Sequence, residues 1–156
     1  MIVRFATHSD IPGMIRLLQQ VGQVHHEIRP DLFRAGAQKY DEKALTDLLA
    51  DQSRPILIAE RDGQVAGYAF CILQVTENDP VLCDRRVLYV DDLCVEETLR
   101  GQGIAGALYE QVLELARKLS CNAVTLNVWC GNDGAMKFYE KSGLKPQKVG
   151  MEMKLC

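Results

Sequence analysis

Apolar and polar residues alternate at the start of the chain, in Ile2-Val3-Arg4-Phe5-Ala6, and this period of two predicts a first strand. The period then lengthens. Ile11, Met14, Ile15, Leu18 and Val21 recur at helical spacing and predict a helix over 9–23. Thr7 and Asp10 stand at capping-box spacing before it, and Pro12 falls in its first turn, where a missing N–H is tolerated. Pro30 breaks the pattern and leaves an irregular stretch over 25–33. A second helix is expected over 41–50, with Ala44, Leu45, Leu48 and Leu49 on one side. Strands at 55–60 and 64–75 flank Asp62-Gly63, a hairpin signal, and Gly67 suggests a bulge or a close contact. Asn78-Asp79-Pro80 reads as a turn before a strand at 86–95. Ile104, Leu108, Val112, Leu115 and Leu119 predict a helix over 104–119. A strand at 123–128, a short helix at 134–141 closed by Gly143, and a last strand from 145 onward complete the pattern. Helices and strands mix without repeat or linker, so a single α+β domain over 1–156 is expected.

Two places depart from this plain patterning. The first is the strand at 86–95, where Asp91 and Asp92 interrupt an apolar run. Successive strand residues point to opposite faces, so without a bulge one of the two carboxylates would face a core. A buried charge is costly unless paired. Such local violations concentrate at functional sites. The alternative is a strand-end position where both are solvated.

The second place is Arg100-Gly101-Gln102-Gly103-Ile104-Ala105, between that strand and the following helix. Strand, glycine-rich turn and helix in this order make a pocket for a pyrophosphate. The glycines let the backbone approach a ligand closely, and the helix start offers unpaired N–H groups. Arg100 could add a fixed positive charge. Gly101, Gly103 and Gly106 have the G-x-G-x-x-G spacing of a dinucleotide fold, but no acidic residue ends a following strand in the usual place, and no Gly-Lys-Ser/Thr follows as a Walker loop requires.

Composition narrows the class without naming a substrate. At 156 residues with 47% apolar residues, one core is affordable, and a net charge of −3 gives no reason to expect a nucleic-acid partner. A mildly acidic surface is compatible with a cationic substrate. No membrane span or signal peptide is visible, so a cytoplasmic protein is expected. The six cysteines form no C-x-x-C pair and sit mostly in apolar runs, which points to reduced thiols. No metal site is expected, because His25 and His26 are adjacent and have no cysteine nearby. The stretch over 25–33 gathers His25, Glu27, Asp31 and Phe33 and is a candidate substrate rim, the alternative being a solvated connection anchored by Phe33.

Arg100-x-x-Gly103-x-Ala105 resembles the phosphate-loop signature R/Q-x-x-G-x-G/A of the GCN5-related N-acetyltransferases, the GNAT family. Asn132-x-x-Ala135-x-x-Phe138-Tyr139-x-x-x-Gly143-Leu144 is similar to a second motif of that family, with Leu144 in place of its final aromatic. The resemblance is close over 86–144 and extends to the rest in layout. It implies a three-layer α+β fold: a mixed, mostly antiparallel sheet with helices on both faces and strands four and five splayed apart. It implies acetyl-CoA as co-substrate, lying in that opening. Leu93, Cys94 and Val95 would pair through their backbone with the pantetheine arm, and one N–H there would hold the acetyl oxygen. Arg100, Gly101, Gln102, Gly103, Ile104 and Ala105 would take the pyrophosphate. Asn132, Ala135 and Phe138 would contribute to the cofactor site, and Tyr139 would protonate the departing thiolate. The acceptor implied is a primary amine of a small molecule, in direct transfer. The segment Tyr89-Val90-Asp91-Asp92-Leu93-Cys94-Val95 is similar to a pattern in the diamine and polyamine branch, which makes Asp91 the candidate base and Asp92 a binder of the cation, with Glu27 and Glu60 in reserve. A protein or peptide acceptor is the nearest rival, and a non-catalytic acetyl-CoA sensor a more distant one. Cys94 as a nucleophile is disfavoured by its apolar setting. The family habit is also compatible with a homodimer.

Overall fold

The computed structural model describes residues 1–156. Its strands are β1 (Ile2–Phe5), β2 (Ile56–Arg61), β3 (Gln64–Thr76), β4 (Arg85–Val95) and β5 (Ala123–Leu126). Its helices are α1 (Ile11–Ile28), α2 (Glu42–Leu49), α3 (Ile104–Lys118) and α4 (Asp133–Lys141). The strands form one sheet in the order β1-β2-β3-β4-β5. The β1–β2, β2–β3 and β3–β4 pairs are antiparallel, and β4–β5 is parallel. The fold is thus α+β, with a mixed and mostly antiparallel sheet.

A core lies on each face of this sheet. Met14, Leu17 and Leu18 of α1 and Leu45 of α2 are packed with Ile58, Tyr68 and Phe70 on one face. Ile104, Leu108 and Val112 of α3 are packed with Ala69, Leu88 and Val90 on the other. The sheet is therefore the middle of three layers, and its strands read as nearly continuous apolar runs because both faces are covered. Two glycines of α1 allow the close packing. A Cβ at Gly13 would lie 2.7 Å from Val65, and one at Gly22 would collide with the Ala37 carbonyl oxygen. The segment between α1 and α2 thereby lies directly on α1.

Helix α1 begins from a polar knot. The Asp10 carboxylate accepts from the Thr7 backbone N–H at 2.7 Å and from Arg4 at 2.8 Å, and Arg4 also reaches Glu60. Burial pushes the Asp10 pKa up, but the Arg4 guanidinium and the Thr7 donors outweigh it and hold the group below its ordinary value. A depressed folded-state pKa stabilises the fold above the unfolded value and loses that stabilisation as pH falls through the folded one. The native protein should therefore become easier to denature below about pH 4, where unfolded aspartates protonate. Chemical denaturation of Asp10→Asn across this range should show a weaker pH dependence than wild type, and an unchanged dependence would remove Asp10 from the account.

The pattern of periods misplaced two boundaries. α1 runs on to Ile28, so His25, His26 and Glu27 stand on its last turns and not on a loop. The Arg29 N–H closes it onto the His25 carbonyl, and Pro30 ends it. No strand forms after residue 144. Val149, Met151, Met153 and Leu155 alternate but are exposed. Alternation makes a strand only where a sheet edge receives it. The segment is tied instead by Arg29 to Glu152 at 3.0 Å and by Lys154 to Asp31 at 3.1 Å. The six cysteines are all free thiols.

Candidate active site

Pairing of β4 with β5 runs from Val87↔Ala123 to Val90↔Leu126 and stops there. Residues Asp91 to Val95 continue along β3 but have no β5 neighbour, so the two strands separate at this point. The free edge has a definite polarity. Cys71 and Leu73 donate away from β4, to Pro55 and Ser53, while Ala66 accepts from Glu96. Peptide groups alternate along a strand. Phe70 and Tyr68 therefore face Asp92 and Cys94, and the N–H and C=O of Leu93 and Val95 point into the opening. The Gln20 side chain donates to the Val95 carbonyl at 2.9 Å and accepts from the Glu97 N–H at 3.1 Å, which fixes the end of β4 to α1.

Just before the opening the β3–β4 register shifts: Phe70 pairs with Asp92 but Cys71 pairs with Val90. Asp91 is the extra residue of a bulge. Leu88 and Val90 face the α3 core, whereas Cys94 faces the α1 side. The bulge changes the phase between them and turns Asp92 to the α1 side as well. Without it, Asp92 would enter an apolar core. The bulge thus answers the conflict posed by two adjacent carboxylates in an apolar strand.

The two carboxylates have different company. Asp92 accepts from the Tyr68 hydroxyl at 2.6 Å. Burial pushes its pKa above the ordinary carboxylate range, while the Tyr68 hydrogen bond and the charges of Lys39 and His25 pull the other way. Asp91 pairs with Lys39 at 2.6 Å and accepts from the Tyr40 hydroxyl at 3.3 Å, and Arg54 donates to that same hydroxyl. Lys39, Tyr40 and Tyr68 were not singled out from the sequence. Tyr68 lay inside an apolar run, and its polar tip opposite an aspartate was the only available signal.

Tyr139 stands on α4 beside Phe138, and both rings meet Tyr109 of α3 edge-on at 6.3 and 6.4 Å. Burial raises the Tyr139 pKa well above its ordinary value, and the negative charge of Asp92 adds to this. Asn132 caps α4, its side chain accepting from the Ala135 N–H at 3.3 Å. Cys94 is buried and its thiol pKa is pushed up to about 12, by burial first and by Asp92 second. At neutral pH such a thiol is not a nucleophile.

Beyond β4 the chain enters α3 through a left-handed turn, with φ of +76° at Gly101 and +81° at Gly103. The backbone N–H groups of Gly101 through Gly106 make no hydrogen bond within the chain. A Cβ at Gly101, Gly103 or Gly106 would meet nothing within 4 Å. A row of free donors at a helix start with open space before it suits an anion. Arg100 is exposed beside it, and Gln102 is held by Arg61.

Gly67 of β3 holds this turn in place. A Cβ there would lie 2.9 Å from the Cys94 carbonyl oxygen and 3.0 and 3.3 Å from Leu108 and Ile104. Gly67→Ala should lower stability by about 1–3 kcal/mol, the usual effect of overpacking. Urea denaturation would measure it, and an unchanged midpoint would mean that α3 moves freely on the sheet.

The remaining rim residues separate. His25 lies against Phe33 at 5.0 Å, and Phe33 meets Trp129 edge-on at 5.3 Å, so they bridge the end of α1 and the segment after β5. Glu27 is exposed and takes a hydrogen bond from Gln23, Asp31 is committed to Arg29 and Lys154, and Glu60 is held by Arg4.

Known proteins resemble the chain in sequence and in shape. Residues 21–144 match the family model described as Acetyltransferase (GNAT) family. N-acetyltransferase 8B of Mus musculus is 34% identical over 131 residues, covering 79% of this chain and 54% of that protein. An uncharacterized N-acetyltransferase of Methanocaldococcus jannaschii is 29% identical over 92 residues, 59% of this chain and 39% of that protein. The chain thus spans only about half the length of the curated relatives it matches. Among solved structures, a mutant of the BH1408 protein from Bacillus halodurans superposes with a TM-score of 0.96 at 30% identity over 100% of both chains. The aminoglycoside N-acetyltransferase AAC(6')-Iy in complex with CoA shares the fold, with a TM-score of 0.72 at 16% identity over 99% of this chain and 100% of that one. With a family model matched over most of its length and a separated β4–β5 edge beside a free phosphate-loop backbone, the chain belongs to the acetyltransferase (GNAT) family.

Proposed function

We propose that the chain is an acetyl-CoA-dependent N-acetyltransferase acting on a primary amine of a small molecule, by direct transfer within a ternary complex. The observation that carries the reading is the free Leu93 edge of β4, followed along the chain by the unpaired N–H row of Gly101 to Gly106. Acetyl-CoA, bound there, supplies an activated acyl carbon and a thiolate leaving group. The N–H groups of the row would hold its pyrophosphate, and Asn132, Ala135 and Phe138 would border it from α4. The Leu93 N–H would donate to the acyl oxygen as negative charge develops.

The acceptor chemistry assigns the other roles. An alkylamine has a pKa of about 10.4, so fewer than about one molecule in a thousand is neutral at pH 7. Asp92 would attract the ammonium and take its proton, through water, before nitrogen attacks. Its raised pKa strengthens its pull on a proton. Asp91 was the first candidate on sequence grounds, but its carboxylate is engaged by Lys39. We therefore give Asp91 the supporting role. Tyr139 stays protonated throughout the working pH range and would give its proton to the thiolate. The His25, Phe33 and Trp129 rings run from the end of α1 to the segment after β5, and we read them as a wall of the acceptor side, which would favour a small acceptor over a peptide.

Thiol release from acetyl-CoA against a panel of alkylamines, aminoglycosides, arylamines and short peptides tests this reading. Turnover confined to small amines supports it. Turnover of peptides alone would replace the acceptor class, and tight acetyl-CoA binding with no acceptor in any class would favour a sensor.

A further inference from the structure

The acceptor side of the opening already contains a primary ammonium of the protein's own. Lys39 Nζ lies 2.6 Å from Asp91 Oδ2 and 5.4 Å from the centre of the Tyr40 ring. Its position is built, not incidental. Gly22 lets the Ala37 carbonyl lie against α1, Gln19 donates to the Gln38 side chain at 2.9 Å, and Gln38 donates to the Tyr40 carbonyl at 2.8 Å. Tyr40 in turn donates to the same Asp91 oxygen and is held by Arg54 at 3.2 Å. The Asp91 side chain is 16% exposed and that of Lys39 47%, so the pair sits at the mouth, partly shielded from water.

A count of charge follows. Asp91 and Lys39 cancel. Asp92 has a neutral hydroxyl, that of Tyr68, as its hydrogen-bond partner, so its carboxylate is the one left with no cation bonded to it. Lys39 and His25 act on it only at longer range, without a bond to it. An acceptor with one ammonium finds one uncompensated carboxylate. An acceptor with a second ammonium finds Lys39 where a second carboxylate would have been, and like charges at such a distance repel.

We infer that Lys39 is a specificity-determining residue: its ammonium occupies Asp91 and restricts the site to acceptors carrying a single positive charge near the reacting amine. The inference rests on the amine-acetylation reading above and narrows it. It also runs against the diamine class that the strand pattern around Asp91 and Asp92 suggested, because one of those two carboxylates is taken. Lys39→Met keeps an unbranched apolar stem as far as Cε and removes the terminal ammonium with its charge. Lys39→Arg keeps the charge.

Two acceptors of equal chain length separate the cases: n-butylamine, with one ammonium, and putrescine, with one at each end. The kcat/KM ratio of the two is measured for wild type, Lys39→Met and Lys39→Arg. Their equilibrium binding to each protein loaded with CoA is measured by calorimetry. Wild type should favour butylamine. Lys39→Met should move the ratio toward putrescine by roughly tenfold, the scale of one partly shielded charge pair, and Lys39→Arg should stay with wild type. A ratio unchanged in Lys39→Met overturns the proposal, as does an equal shift in Lys39→Arg. A binding preference that shifts as predicted while no amine is acetylated by any variant upholds the role of Lys39 and instead contradicts acetyl transfer.

Discussion

Asp92→Asn is expected to lower the rate of amine acetylation by about 10²–10⁴-fold, the range for loss of a general base. Asparagine keeps the shape and still accepts from the Tyr68 hydroxyl, whose bond to Asp92 is 2.6 Å. It cannot take a proton from an ammonium. The pH profile should change as well. The base works only when ionised, so the wild-type rate falls as pH drops through the Asp92 pKa. Burial holds that pKa above the ordinary carboxylate value, so the fall begins above about pH 4. In Asp92→Asn this limb should vanish. Tyr68→Phe removes a hydrogen bond that lowers the Asp92 pKa and should move the limb to higher pH. Asp91→Asn should have a smaller effect on the limb, since Asp91 is already paired with Lys39. Equal loss of the limb in both aspartate variants would return the base to the pair as a unit.

Tyr139→Phe should reduce kcat by about 10²-fold, at the low end for a general acid because a thiolate leaves without much help. The ring contacts with Tyr109 and Phe138 persist in phenylalanine, so the fold and the KM for acetyl-CoA should hardly move. Steady-state kinetics separate the two parameters. Equal losses in kcat and in acetyl-CoA affinity would mean that Tyr139 shapes the site and does not donate. No basic limb near neutrality is expected from Tyr139, because burial and the Asp92 charge raise its pKa.

Much of the scaffold was legible from period alone. The helical spacing of Ile11, Met14 and Leu18 and the hairpin at Asp62-Gly63 reflect residues that must bury or must turn, and such constraints are local. The glycine turn before α3 was legible for the same reason: φ near +80° at Gly101 and Gly103 leaves little choice of residue. The Asp91-Asp92 pair was legible as a local conflict, with a bulge or a solvated strand end as the two ways out, and the structure takes the bulge. Whether a bulge forms depends on the partner strand, and the β3 register that creates it is a long-range property. Lys39, Tyr40 and Tyr68 were missed because each acquires its meaning from a residue 24 to 52 positions away. The strand expected after residue 144 failed for a related reason: its alternation is real, but it pairs with no sheet edge.

The central claim is that acetyl-CoA lies along the β4 edge with its pyrophosphate on the start of α3. Amide hydrogen exchange of the protein, with and without acetyl-CoA, tests it most directly. The account predicts new protection at the Leu93 N–H and across Gly101 to Gly106, the groups that make no bond within the chain. Saturating acetyl-CoA that leaves these amides exchanging as before would contradict it.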